Sequence, residues 1–217
     1  MPKVDLWAFE KALNAQGYVH IAGVDEAGRG PLAGPVVAAA VVLPAGFAVQ
    51  GVNDSKQLTA RRRERLFDQI HAEARAVAVG VVEAPEIDRI NILQAARKAM
   101  AMAVAALDPI PHYLLIDGNC GIDSDLPQQA LVKGDARSIS VAAASIVAKV
   151  SRDRLMSGYH RTYPQFGFDR HKGYPTAAHK AAIDRHGPCP IHRRSFRGVC
   201  PPPLPHPCTT CGQGRCP

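Results

Sequence analysis

The sequence predicts an α/β protein in which helices cover a single mixed β-sheet. Its apolar segments alternate between short runs rich in valine and alanine and longer stretches that begin with helix caps. The run Pro35–Leu43 is apolar at every position, which predicts a strand buried on both faces. The predicted order is β-β-helix-β-helix-β-β-helix, and no internal repeat interrupts it.

Five short apolar runs are predicted to be strands. They cover Val19–Val24, Pro35–Leu43, Ala76–Val82, Tyr113–Ile116 and Ala130–Val132. The turn at 28–34, rich in glycine and proline, joins the first two.

Four helices are predicted from caps and periodicity. They run from about Thr59 to Ala74, Asn91 to Leu107, Ser138 to Ser157 and Thr176 to His186. Thr59 and Asn91 are the expected N-caps of the first two. The third helix is alanine-rich and apolar nearly all round, which predicts burial against the sheet.

The chain has 217 residues and a net charge of +7, enough length for one core and a small appendage. Five of its 26 Lys and Arg residues, but none of its 19 acids, lie in residues 185–217. This basic end suits a polyanion such as nucleic acid, or serves solubility. No apolar run reaches the roughly 20 residues of a membrane span, and the first residues lack an apolar leader, so we expect a cytoplasmic protein.

Residues 198–217 form a Pro/Cys-rich basic tail that we expect to be poorly ordered. Cys200, Cys208, Cys211 and Cys216 either bind zinc or are incidental thiols, since only one pair has the CxxC spacing. The histidines in residues 171–192 lack ligand spacing and are expected to serve packing or the surface.

The most informative feature is the pair Asp25-Glu26, which ends the first strand and precedes Gly28-Arg29-Gly30. Neighbouring residues of a strand point to opposite faces. The two carboxylates therefore serve one site only if the backbone bends there, and the glycines permit a bend.

Three further aspartates occupy similar places. Asp117 ends the fourth strand, Asp135 precedes the third helix, and Asp54 lies in a polar loop. Each alone is explained as a turn or cap residue. Together, carboxylates at strand ends favour a site for a hard cation, Mg²⁺ or Mn²⁺.

The third helix carries a stripe of polar residues, Ser138, Ser145, Lys149 and Arg152. Small residues with a basic end suit the close approach of a phosphate backbone. The alternative is a packing seam of small residues.

Several motifs, in consistent order over residues 18–196, resemble the bacterial ribonuclease HII family. They are Gly23–Val36, Asn53–Leu58, Ile116–Asn119, Lys133–Val150, Tyr163-Pro164, Gly167-Phe168, Lys172–Thr176 and His179. The arginine in Gly28-Arg29-Gly30 favours type HII over the related type HIII.

This resemblance implies an RNase H-like catalytic domain at residues 18–197, with a C-terminal helical extension, after an N-terminal segment 1–17. It implies an enzyme that cleaves the RNA strand of RNA–DNA hybrids and incises duplex DNA at embedded ribonucleotides, leaving 5′-phosphate and 3′-hydroxyl ends. No exposed apolar stripe in the sequence compels a dimer, so we expect a monomer. The implied cofactor is Mn²⁺ or Mg²⁺, held by Asp25, Glu26, Asp117 and Asp135.

The resemblance also implies the substrate contacts. Gly28, Arg29 and Gly30 would read the ribose 2′-hydroxyl, which distinguishes RNA from DNA. Tyr174 would pack on the sugar at the RNA–DNA junction, although a core aromatic is the alternative. The expected phosphate contacts, with a solvated surface as their alternative, are Ser55, Lys56, Lys149 and Arg152.

Other functions remain open at this point. A DNA-specific nuclease or resolvase uses a similar carboxylate cluster. A non-catalytic nucleic-acid-binding module would not need the acids, and a phosphatase would act on small molecules.

Overall fold

The computed structural model describes residues 5–47 and 58–199. Within them, five strands form one sheet in the order β3-β2-β1-β4-β5. The strands are β1 (Ile21–Ala27), β2 (Val36–Val42), β3 (Ala76–Val82), β4 (Tyr113–Asp117) and β5 (Gln128–Leu131). Neighbours among β1, β2 and β3 are antiparallel, whereas β4 is parallel to both β1 and β5. The predicted mixed sheet is confirmed.

The described residues contain seven α-helices. They are α1 (Ala8–Ala15), α2 (Ala60–Glu73), α3 (Ala84–Ile90), α4 (Ile92–Ala105), α5 (Ile139–Thr162), α6 (Phe168–His171) and α7 (Ala177–His186). The predicted caps form: Thr59 accepts a hydrogen bond from the Arg62 N–H, and Asn91 from those of Leu93 and Gln94. Three helices, α1, α3 and α6, were not among the predicted elements, because they are short and therefore carry little periodicity.

Each face of the sheet carries its own helical layer. Ala38 and Ala40 of β2 pack into an apolar cluster with α4, while Ala39 and Val41 pack into one with α5 and α2. The residues of β2 are buried throughout, as the all-apolar sequence predicts.

The first helix ties the N-terminal segment to α5. Glu10 of α1 is buried, and its carboxylate accepts hydrogen bonds from the Ser138 hydroxyl (2.6 Å) and the Ser140 N–H (3.1 Å). Ser138 also caps α5 through the Val141 N–H. Ser138 is thus a buried structural residue, and the prediction that it takes part in the approach of a phosphate backbone is wrong.

The C-terminal elements cover the turn between β1 and β2. Leu32 in that turn packs in a buried cluster with Met156 of α5, Phe168 of α6 and Ile183 of α7. The described part of the chain includes no helix with the length and hydropathy needed to cross a membrane.

The contact between β1 and α5 is so close that it excludes a side chain. Gly23 of β1 lies against the backbone of Ser140 and Val141, and a methyl group at position 23 would overlap the Ser140 carbonyl carbon. Glycine here lets the helix axis approach the strand closely. The position of α5 over β1 therefore depends on Gly23.

We predict that Gly23→Ala lowers the free energy of unfolding by about 3 kcal/mol or more, because two backbones must separate to admit the methyl group. Gly158→Ala is the matched control, since its nearest neighbour would be the Arg161 Nη2 at 3.9 Å. In the interior of α5 this change is expected to raise stability by about 0.5–1 kcal/mol. Urea denaturation measures both; similar stabilities for the two variants would contradict the expected clash.

Candidate active site

A cleft of about 540 Å³ opens where β1 and β4 end. The four acids that the family resemblance implies all line it, although they come from three parts of the chain: β1, the end of β4 and the turn before α5. Its lining includes Asp25, Glu26, Gly28, Arg29, Gly30, Arg63, Asp117, Asp135, Ser145, Lys149 and Tyr174. The structure thus brings most of the predicted site residues to one place.

The strand β1 reaches the cleft without the bend that the sequence analysis expected at Asp25-Glu26. Its pairing with β2 continues in regular register through Glu26↔Ala38 and Ala27↔Val37. Its pairing with β4 extends only to Val24↔Ile116. Because β1 extends past the end of β4, side chains on both of its faces open onto the same space. The two carboxylates therefore reach one cleft because the edge of β1 beside β4 is open, and not because the backbone bends.

Asp25 is the most buried of the acids, with 6% of its surface exposed. Its Oδ1 accepts the Glu26 N–H at 2.7 Å, and its carboxylate also bonds the Ser145 side chain. Burial raises the pKa of Asp25 well above its usual value, and the charges of Glu26 and Asp117 raise it further. The ionised carboxylate is therefore held in an unfavourable environment.

Glu26 lies beside the arginine of the glycine turn. The Arg29 Nη1 is 3.2 Å from the Glu26 Oε1, and this arginine is half-exposed. Burial raises the pKa of Glu26 and the Asp117 charge adds to the rise, while Arg29 opposes it. Arg29 thus offsets part of the repulsion among the acids.

Asp117 and Asp135 are linked through one short turn. The Asp117 Oδ1 accepts the Gly134 N–H at 2.6 Å, and Asp135 follows in the 3₁₀ turn Gly134–Ala136. Lys133 enters this turn in the left-handed conformation, with φ of 57°. The end of β4 and the approach to α5 are thereby joined next to the cleft.

The chemistry of these donors fits a divalent cation. They are carboxylate oxygens, the ligands preferred by Mg²⁺ and Mn²⁺, and their mutual repulsion is relieved by positive charge. Residues 5–47 and 58–199 nevertheless contain no group of three or more His, Cys, Asp or Glu side chains gathered as a ready metal site. The acids share the cleft without closing around one point.

Tyr174 and Lys149 also line the cleft. Tyr174 is 43% exposed, so the alternative that it is a core aromatic is wrong. The Lys149 Nζ lies 6.0 Å from the centre of its ring and 2.8 Å from the Asp153 Oδ1. An exposed aromatic ring beside a cation offers a surface for a sugar and its phosphate.

Arg152 is the predicted phosphate contact that the structure contradicts. It is 1% exposed, and its guanidinium donates to the carbonyl oxygens of Pro35 (2.9 Å), Lys172 (3.0 Å) and Ala33 (3.1 Å). It is therefore an internal brace of the turn between β1 and β2. The residue shares a helical stripe with Ser145 and Lys149, but the C-terminal elements cover it.

Arg63 and Arg193 belong to the site region although their sequence context does not indicate it. Arg63 of α2 lines the cleft, but nothing distinguishes it from the other charged residues around it in the sequence. Arg193 is fully buried beneath the glycine turn, and no local pattern marks it. Ser55, Lys56 and Asp54 lie outside the described residues, as do Cys200 and the cysteines after it.

A buried histidine pair supports the backbone at Tyr174. The Cys189 N–H donates to the His192 Nδ1 (2.9 Å), so the His192 Nε2 carries the proton that it shares with the His179 Nε2 (3.1 Å). The His179 Nδ1 then donates to the Tyr174 carbonyl (2.9 Å). Burial, together with the neighbouring His179, lowers the pKa of His192 to about 4. The prediction that these histidines serve packing is confirmed.

The fold and the cleft define an α/β protein that gathers carboxylates at the ends of neighbouring strands. Residues 22–199 match the family described as Ribonuclease HII. The chain therefore belongs to the ribonuclease HII family and is a ribonuclease H hydrolase.

Individual relatives agree with this assignment. A curated Ribonuclease HII from Geobacter metallireducens is 59% identical over 194 residues, which cover 89% of this chain and 91% of the relative. The crystal structure of ribonuclease H2 from Pyrococcus horikoshii OT3 superposes with a TM-score of 0.70 and 31% identity, covering 83% of this chain and 95% of that one. An RNase HII from Archaeoglobus fulgidus, solved in a complex with PCNA, superposes with a TM-score of 0.68 and 27% identity. The match covers 82% of this chain and 95% of that one.

We predict that Asp25→Asn raises the free energy of unfolding by about 1 kcal/mol at pH 7 without divalent ions. The folded state raises the pKa of Asp25, so its ionised form disfavours folding above that pKa, and the neutral amide removes this effect. Added Mg²⁺ or Mn²⁺ should stabilise the wild type more than the variant. Thermal denaturation with and without the ion measures both effects.

Asp68→Asn is the control for the charge change alone, because Asp68 is exposed on α2. It should alter neither the stability without metal nor the response to metal. A destabilised Asp25→Asn protein that still responds fully to the ion would contradict the expected repulsion.

A second prediction concerns acid stability. The folded pKa of His192 is about 4, whereas an unfolded histidine titrates near 6.5, so unfolding takes up a proton between these values. Stability should therefore fall as the pH is lowered through this window. Between pH 7 and 4.5, the free energy of unfolding measured by urea denaturation should fall less steeply for His192→Gln than for the wild type. The control His71→Gln, at an exposed position, should fall as steeply as the wild type. Identical pH slopes in all three proteins would exclude this role for His192.

Proposed function

We propose that this protein hydrolyses the RNA strand of RNA–DNA hybrids and incises duplex DNA at single embedded ribonucleotides. Its cofactor is Mg²⁺ or Mn²⁺, and its products carry 5′-phosphate and 3′-hydroxyl ends. One observation carries the proposal: the cleft is lined both by the four acids and by the Gly28-Arg29-Gly30 turn with Tyr174. Chemistry and sugar recognition would then occur at adjacent points on the substrate.

In this proposal Asp25, Glu26, Asp117 and Asp135 hold the divalent cofactor. When bound, it activates a water and stabilises the leaving oxygen of the phosphodiester. Asp25 is suited to this role because its position is fixed by Ser145 and by the Glu26 N–H. Arg29 keeps Glu26 directed toward the same space.

The remaining cleft residues would bind and orient the nucleic acid. Gly28, Arg29 and Gly30 read the 2′-hydroxyl, and the ring of Tyr174 packs on the sugar at the junction. Lys149 and Arg63 contact phosphates, which position the duplex without specifying its sequence. The phosphate contacts predicted for Ser55 and Lys56 stay predictions, as do the monomeric state and the cytoplasmic location.

The test is a DNA duplex that contains one ribonucleotide, offered with Mg²⁺ or Mn²⁺. We expect incision at that nucleotide, no incision of the all-DNA duplex, and loss of incision without a divalent ion. Gel analysis of end-labelled strands, with enzymatic mapping of the ends, measures site and product chemistry. Cleavage of the all-DNA duplex would instead support a DNA-specific nuclease.

Asp25→Asn separates catalysis from binding in the same assay. It should abolish incision while retaining most of the affinity for the duplex, because the sugar and phosphate contacts lie elsewhere in the cleft. A variant that incises as well as the wild type would show that Asp25 is not catalytic, whereas a wild type that binds the duplex without incising it would support a non-catalytic binding module. A folded wild type that leaves the embedded ribonucleotide intact would refute the proposed function.

A further inference from the structure

Arg193 is buried directly beneath the turn that carries Gly28-Arg29-Gly30. It is 0% exposed, and its guanidinium donates only to backbone carbonyls of this turn among the described residues. The acceptors are Gly28 (2.6 Å), Pro31 (2.8 Å), Arg29 (3.0 Å) and Gly34 (3.0 Å). The Arg193 N–H also donates to the Leu32 carbonyl at 2.8 Å. One side chain therefore determines the direction of successive peptide groups.

The direction of these carbonyls also determines where the amides point. In a planar trans peptide the C=O and the following N–H point in opposite directions. Because the carbonyls of Gly28 and Arg29 point inward to Arg193, the N–H groups of Arg29 and Gly30 point away from it, on the side of the cleft. Within the described residues, neither N–H donates to a backbone carbonyl.

The peptide between Pro31 and Leu32, further along the same turn, provides an internal check. The Pro31 carbonyl accepts from Arg193, and the Leu32 N–H of the same peptide donates to the Gly173 carbonyl at 2.8 Å. Gly173 precedes Tyr174, which lines the cleft, so the outward N–H reaches the segment that carries Tyr174. The same reversal at the Gly28–Arg29 and Arg29–Gly30 peptides leaves the N–H groups of Arg29 and Gly30 for a ligand.

We propose that Arg193 is the positioning residue of the sugar-reading turn, and that it directs the Arg29 and Gly30 amides to the ribose 2′-oxygen. This inference rests on the proposed function and adds the residue on which its ribose preference depends. A guanidinium suits the task because its planar array of donors holds several carbonyls at fixed angles. A lysine ammonium concentrates its donors at one atom and cannot reproduce that array.

The test compares Arg193→Lys with Arg152→Lys. Arg152 is an equally buried arginine that also donates to backbone carbonyls, but to those of Ala33, Pro35 and Lys172 rather than of Gly28 and Arg29. Two quantities are measured with Mg²⁺ or Mn²⁺. One is KM for the duplex with one ribonucleotide, and the other is Ki for the all-DNA duplex as a competitor.

We expect Arg193→Lys to raise KM about tenfold, through the loss of two directed hydrogen bonds, with Ki changed by less than about twofold. Arg152→Lys should lose similar thermal stability but keep the ratio of KM to Ki. Equal changes in KM and Ki for Arg193→Lys, or the same lost preference in Arg152→Lys, would overturn the assignment. If the folded wild type does not incise at the ribonucleotide, the proposed function fails and this inference fails with it.

A second measurement does not require Arg193→Lys to fold. In ¹⁵N-labelled Asp25→Asn protein, the amide signals of Arg29 and Gly30 should shift on adding the ribonucleotide-containing duplex and shift much less with the all-DNA duplex. Equal shifts with both duplexes would show that these amides do not read the 2′-oxygen.

Discussion

The cleft depends on the direct backbone contact between β1 and α5 at Gly23. Asp25 lies two residues further along β1, on the same face, and therefore meets Ser145 of α5. The turn that leads into α5 carries Gly134, whose N–H holds Asp117, and Asp135 follows it. A helix held further from the strand would separate these groups. The acids are thus assembled by packing between two regular elements, which are more rigid supports than loops.

The turn between β1 and β2 is held in a different way. Arg152 and Arg193 are both buried against it, and burial lowers the pKa of each. A buried guanidinium is unfavourable unless its N–H groups find acceptors, and here backbone carbonyls of the turn supply them. The pairing is mutual, because those carbonyls also need donors once the C-terminal elements cover them. The turn can therefore be rich in glycine and still have one conformation.

The sequence was informative where the signal is local. The five strands, the caps at Thr59 and Asn91, and the acids at the ends of β1 and β4 all follow from residues close together in the chain. Arg152 was misassigned because its carbonyl partners at Ala33 and Pro35 are more than a hundred residues away. The open edge beside β1 was missed for a similar reason, since it depends on where β4 ends. Periodicity predicts which face of a helix a residue occupies, but it does not predict which other elements cover that face.

The site combines a rigid neutral core with charges that repel one another. Burial and neighbouring acids raise the pKa of both Asp25 and Glu26, so the ionised cluster opposes folding. The surrounding layers consist of alanine, valine and other apolar residues that are buried throughout β2 and along the first half of α5. Such packing can tolerate a local electrostatic penalty because its own stability does not depend on the acids. A cation entering the cleft would reverse the sign of that penalty, so the repulsion that weakens the free protein is also what favours binding of the metal.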